Sequence, residues 1–117
     1  MYGVATSETN FAPELANRVD ICSLYGTVLN RFIIQAAMGE PLSVYGVGGQ
    51  TRAFIHIEDS IRCMVLAIEH PPDDNKIRMY NQTTETHRVV DLAARVSRLF
   101  GATVRFLPNP RNELVYE

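Results

Sequence analysis

The sequence predicts an α/β fold, a small mixed sheet covered by helices. Three observations carry that expectation. Apolar residues recur with helical spacing in three separate stretches. Short runs rich in Val, Ile, Phe and Tyr lie between those stretches. Glycine and proline punctuate the boundaries. The 117 residues are 46% apolar, enough for a single packed domain spanning residues 1–117.

Residues 1–23 are polar and irregular and read as loop. From Tyr25 to Met38 an apolar stripe runs through Val28, Leu29, Phe32, Ile33, Ala36 and Ala37, the spacing of an amphipathic helix. Gly39 and Pro41 end it. Leu42 to Tyr45 reads as a strand, Gly46 to Gln50 as a turn, and Arg52 to Ile57 as a second strand. Asp59 or Ser60 is placed to cap a helix that ends near Glu69, before Pro71 and Pro72. Ile77 to Gln82 reads as a strand. Thr84 or Thr86 then caps a helix over Val89, Leu92, Ala93, Val96, Leu99 and Phe100, with an Asp91–Arg95 pair on its outer face. Ala102 to Leu107 reads as the last strand.

Charge and cysteine usage narrow the function. The formal net charge of −2 argues against a nucleic-acid binder, which usually presents a basic face. No apolar run approaches the roughly 18 residues of a membrane span. The start "MYGVATSETN" lacks the basic and apolar regions of a signal peptide, so a cytoplasmic location is expected. Cys22 and Cys63 lack metal-ligand or redox spacing. His56, His70 and His87 show no arrangement with a nucleophile and read as structural or solvated. Asp59, next to Glu58, reads as a cap.

The glycine cluster in "VYGVGGQTRAF" poses the sharper question. A dinucleotide loop, G-x-G-x-x-G, must follow a strand and open a helix. Gly46, Gly48 and Gly49 follow a strand, but the third motif position is Thr51, and a strand-like run comes next. A turn between strands accounts for the glycines. It leaves Gln50 and Arg52, two planar donor-bearing side chains, unexplained.

The stretch "GEPLSVYGVGGQTRAFIHIEDSIRCMVLAIEHPP", together with "GTVLNRF", "NQTTE" and "PNPRNE", resembles the carboxy-terminal, substrate-binding half of the extended short-chain dehydrogenase/reductases. These are NAD-dependent nucleotide-sugar epimerases and dehydratases. The resemblance implies a site for a UDP-sugar. In that reading Arg52 clamps the diphosphate, as a planar guanidinium suits. Ser43, Val44 and Tyr45 lie along the uracil and ribose. Thr27 and Val28 open a helix facing the phosphates. Arg111 is a second diphosphate arginine, Glu113 lies near the ribose, and Gln50 and Asn81 are lesser contacts.

The resemblance also implies limits. NAD belongs to the full-length family, whereas this stretch has neither its glycine loop nor its Y-x-x-x-K. Lys76 is the only lysine, and Pro72 stands where the tyrosine would be. No complete Rossmann domain, no catalytic residue and no cofactor site are therefore expected here. The expected partner is a separate nucleotide-binding domain or a second copy, the homo-oligomer being suggested by the apolar helix from Tyr25 to Met38. The alternative is a stand-alone interaction protein that kept the fold and lost the activity.

Overall fold

The computed structural model describes residues 1–3, 6–15, 27–73 and 76–109. In chain order the elements are α1 (Ser7–Phe11), a 3-10 turn (Pro13–Leu15), α2 (Val28–Ala37), β1 (Leu42–Tyr45), β2 (Thr51–Phe54), α3 (Ile57–Glu69), β3 (Glu85–Arg88), α4 (Val89–Phe100) and β4 (Val104–Leu107). The α/β class holds. The strands form two two-stranded sheets: β1 pairs parallel with β4, and β2 pairs antiparallel with β3.

One core joins most of these elements. Phe32 of α2, Leu42 and Val44 of β1, Phe54 of β2, and Val89, Leu92, Ala93 and Val96 of α4 are buried together. The α4 set follows i, i+3, i+4, i+7, so one stripe faces inward. Gly101, at φ 69°, ends α4 in the left-handed conformation with its N–H on the Ser97 carbonyl, as glycine allows without a Cβ clash.

Several boundaries differ from the sequence expectation. Within residues 1–23, expected as loop, α1 and the 3-10 turn form short helical turns. The helix expected from Tyr25 begins at Val28, with Thr27 in the N-cap position but no side-chain cap bond, and Tyr25 and Cys22 lie outside the described residues. β2 stops at Phe54, and α3 starts at Ile57. His56 caps α3: its ring Nδ1 accepts the Glu58 N–H at 3.3 Å. Glu58 and Asp59 then stand in the first turn, where the helix dipole favours carboxylates. Residues 77–82 form no strand. The edge of β2 is taken instead by Glu85–Arg88, and a strand without a partner leaves its backbone groups unpaired. α4 therefore begins later than expected, with Arg88 rather than Thr84 or Thr86 at its N-cap. Asp91 is held by Arg88, at 2.8 and 3.2 Å, in place of the expected pair with Arg95.

α3 is the exception to the packing. Ile61, Met64, Val65, Leu66 and Ile68 are all exposed, as are Ile77, Met79 and Tyr80 beyond it. Ser60, its one buried residue, donates to the Gln82 Oε1 at 3.1 Å. The parallel bridge between Tyr2 and His56 ties the first residues to the start of this helix.

Candidate functional site

The glycine turn joins the two sheets. Gly46 and Gly48 both adopt positive φ. Gly48 is buried, and a Cβ there would meet Val44 Cγ1 at 2.8 Å and Val90 Cβ at 3.0 Å. Its carbonyl accepts the Val90 N–H at 2.9 Å, and the Gln50 carbonyl accepts the Val89 N–H at 3.1 Å. The turn thus caps the N-terminus of α4, whose N-cap Arg88 makes no side-chain bond to the helix N–H groups. This is the physical reason for glycine at residue 48: the turn must lie flat against the helix start. The Gln50 side chain closes the turn from within, donating to the Tyr45 carbonyl at 3.4 Å.

On one side of the turn, β1 carries the segment expected to lie along a nucleoside. Val44 is fully buried, backbone included, so it belongs to the core and offers no surface to a ligand, against the expectation that it lies along the nucleoside. Ser43 is held from α2. Its N–H donates to Gln35 Oε1 at 3.0 Å, its hydroxyl accepts from Gln35 Nε2 at 2.8 Å, and its carbonyl accepts from Arg31 Nη2 at 3.0 Å. The Arg31 guanidinium also lies 4.9 Å from the centre of the Tyr45 ring, a cation–π distance. Burial pushes the Arg31 pKa down, an effect the Tyr45 hydroxyl opposes. Arg31 and Gln35 are one turn apart on α2 and face the same strand. Sequence reading missed both. Their i, i+4 spacing along the edge of the apolar stripe was the available signal.

Thr27 and Val28 open α2 as expected, with Val28 packed against the core. The Thr27 Oγ1 and the Arg31 Nε are buried without a hydrogen-bond partner.

On the other side of the turn, Arg52 lies exposed on β2, in register with His87 of β3. Residues directly opposite in an antiparallel pair share a face. His87 Nε2 lies 2.8 Å from Glu85 Oε2, and the Tyr2 hydroxyl donates to Glu85 Oε1 at 3.4 Å. The His87 hydrogen bond holds the Glu85 carboxyl below the usual range, while burial, then the Glu85 charge, raise the Tyr2 hydroxyl. The strand therefore brings polar groups to the face that bears Arg52. Asn81 stands exposed in the segment before β3. Arg111 and Glu113 lie outside the described residues.

Comparison with known proteins decides what kind of chain this is. Residues 16–82 match the model of the NAD dependent epimerase/dehydratase family. The chain belongs to that family. It is 48% identical over 97% of its length to the chloroplastic UDP-sulfoquinovose synthase of Spinacia oleracea, of which it covers 24%. It is 42% identical over 84% of its length to the UDP-sulfoquinovose synthase of Sulfolobus acidocaldarius, of which it covers 25%. Among solved structures it resembles the UDP-glucuronic acid 4-epimerase of Bacillus cereus in complex with UDP-glucuronic acid and NAD. That match has a TM-score of 0.62 and 29% identity, and covers 71% of this chain and 27% of the other. The chain thus spans about a quarter of the length of these relatives.

The turn at Gly46–Gln50 does not fit the pyrophosphate of NAD. It leads into strand β2 rather than a helix, and the helix N-terminus it touches already has its first N–H groups bonded to the Gly48 and Gln50 carbonyls. No helix among the described residues is long and apolar enough to cross a membrane.

Proposed function

We propose that this chain is the UDP-sugar-binding portion of a UDP-sulfoquinovose synthase-like enzyme and requires a separate NAD-binding part for turnover. The observation that carries the proposal is the placement of Arg52. It follows the glycine turn directly, on an exposed strand face, in a chain 48% identical to a synthase named for a UDP-sugar. Arg52 supplies charge-assisted bonds to the diphosphate, each worth about 1.5–3 kcal/mol. Tyr45, across the turn, takes the base side, with Thr27, Val28, Ser43, Gln50, Asn81, Arg111 and Glu113 as the remaining contacts.

The partner reads from the open helix. The stripe Ile61, Met64, Val65 and Ile68 has the spacing of a core-facing helix yet stays exposed, and contiguous exposed apolar faces mark interaction sites. This supports α3, rather than α2, as the docking surface for the NAD-binding part.

With one wall of the pocket contributed by that partner, UDP binding by the isolated chain is weak, on the order of millimolar. A UDP titration followed by backbone amide shifts tests the proposal. Shifts should cluster at residues 27–28 and 43–52. Arg52→Ala should abolish them and Arg95→Ala, on the outer face of α4, should not. An unchanged titration in Arg52→Ala refutes the assignment.

A further inference from the structure

We infer that Arg31 and Gln35 are positioning residues for the nucleoside side of the site, acting through Ser43 and Tyr45. The inference rests on the UDP-sugar reading above. β1 bonds to β4 along one edge, and its other edge faces α2. There Gln35 takes both the N–H and the hydroxyl of Ser43, and Arg31 takes its carbonyl. Every polar group of Ser43 is thereby engaged from one helix. With its N–H and carbonyl tied to α2 and its hydroxyl oxygen accepting from Gln35, Ser43 keeps its hydroxyl hydrogen as a donor, and its first part is to fix the strand edge. The consequence falls on Tyr45, two residues on, where the side chain returns to the same face of the strand. The Arg31 guanidinium reaches from the Ser43 carbonyl to the Tyr45 ring. One side chain thus sets both the strand edge and the ring.

Arg31 is held there at some cost. Its Nε is buried without a partner, and burial lowers its pKa. A half-buried guanidinium with its Nε unbonded is a poor way to stabilise a fold, since an apolar residue of similar volume packs there without that penalty. Its placement 4.9 Å from the Tyr45 ring centre therefore points to orientation of that ring. A planar fork stacked on an aromatic face does this better than a flexible ammonium.

The clamp acts on the base end of the ligand and Arg52 on the phosphate end. The two are separable with two ligands. UDP engages both ends, and inorganic pyrophosphate engages only the phosphate end. The experiment measures the affinity of wild type, Arg31→Met, Arg31→Lys, Gln35→Met and Arg52→Ala for each ligand by amide-shift titration. Arg31→Met and Gln35→Met should weaken UDP by roughly tenfold, the effect of losing one good hydrogen bond, and leave pyrophosphate unchanged. Arg31→Lys should recover only part of the UDP affinity. Arg52→Ala should lose both ligands.

Pyrophosphate binding serves as the control for folding. A clamp variant that weakens both ligands equally shows a purely structural role and overturns the inference. So does a clamp variant that weakens neither. Gln35→Ala, which removes both contacts to Ser43, decides the matter if the methionine variants do not fold: UDP affinity equal to wild type then counts against the clamp. Wild type that binds neither ligand refutes the UDP-sugar reading itself, and the inference falls with it.

Discussion

Helices α2 and α3 are alike in sequence and opposite in environment. Both carry an apolar stripe. In α2, Phe32 is fully buried, with Val28, Leu29 and Ala36 packed around it. In α3, Ile61, Met64, Val65, Leu66 and Ile68 are 44–79% exposed. The difference teaches that a helical stripe states a need for apolar cover without saying where the cover comes from. For α2 it comes from β1 and α4. For α3 no described residue supplies it.

The largest effect expected from this contrast is on stability. Phe32→Ala should cost about 3–5 kcal/mol, the usual range for emptying a buried aromatic site. Ile68→Ala and Val65→Asp, on the exposed face of α3, should stay within about 0.5 kcal/mol. Urea denaturation measures both. A large loss for Val65→Asp in the isolated chain would mean that α3 is covered by something this structure does not contain, such as a second copy.

The glycines sharpen the same contrast at the backbone. Gly39 and Gly48 both have positive φ, at 74° and 72°. Gly39 has open space where a Cβ would go, while Gly48 has Val44 and Val90. Gly39→Ala should cost about 1 kcal/mol from conformation alone. Gly48→Ala should cost about 1–3 kcal/mol more from overpacking against the start of α4. Equal costs would show that the turn is not seated on the helix.

These outcomes bear on what was legible beforehand. β1, β4 and the body of α4 could be read from local pattern, because their apolar period matches the surface they bury. "IRMYNQ" looked like a strand for the same reason, yet pairing is a tertiary property, and no described strand pairs with it. "ETHR" did not look like a strand, because β3 is polar on both faces, and its role is to satisfy the edge of β2. For the proposed site, Arg52 and Tyr45 could be picked out through their place beside the turn and the family resemblance. Arg31 and Gln35 were not, because a polar residue on a helix reads as solvated until the facing strand is known.

A smaller effect concerns acid. The folded Glu85 carboxyl titrates below its unfolded value, chiefly through the His87 hydrogen bond. Its contribution is full above the ordinary carboxylate pKa of about 4.3 and is lost as pH falls through the lowered folded value. Glu85→Gln should therefore flatten the acid side of the stability profile and leave neutral pH nearly unaffected. A Glu85→Gln profile that parallels wild type below pH of about 4 would mean that the Glu85–His87 contact carries no stability.

The most direct test of the account is hydrogen exchange of the chain with and without saturating UDP. The account predicts added protection at the backbone amides of 43–45 and 50–54, with the exchange of α3 and of residues 77–80 unchanged, because the ligand site and the docking face are separate. Protection that appears instead along α3, with 43–54 unaltered, would contradict it.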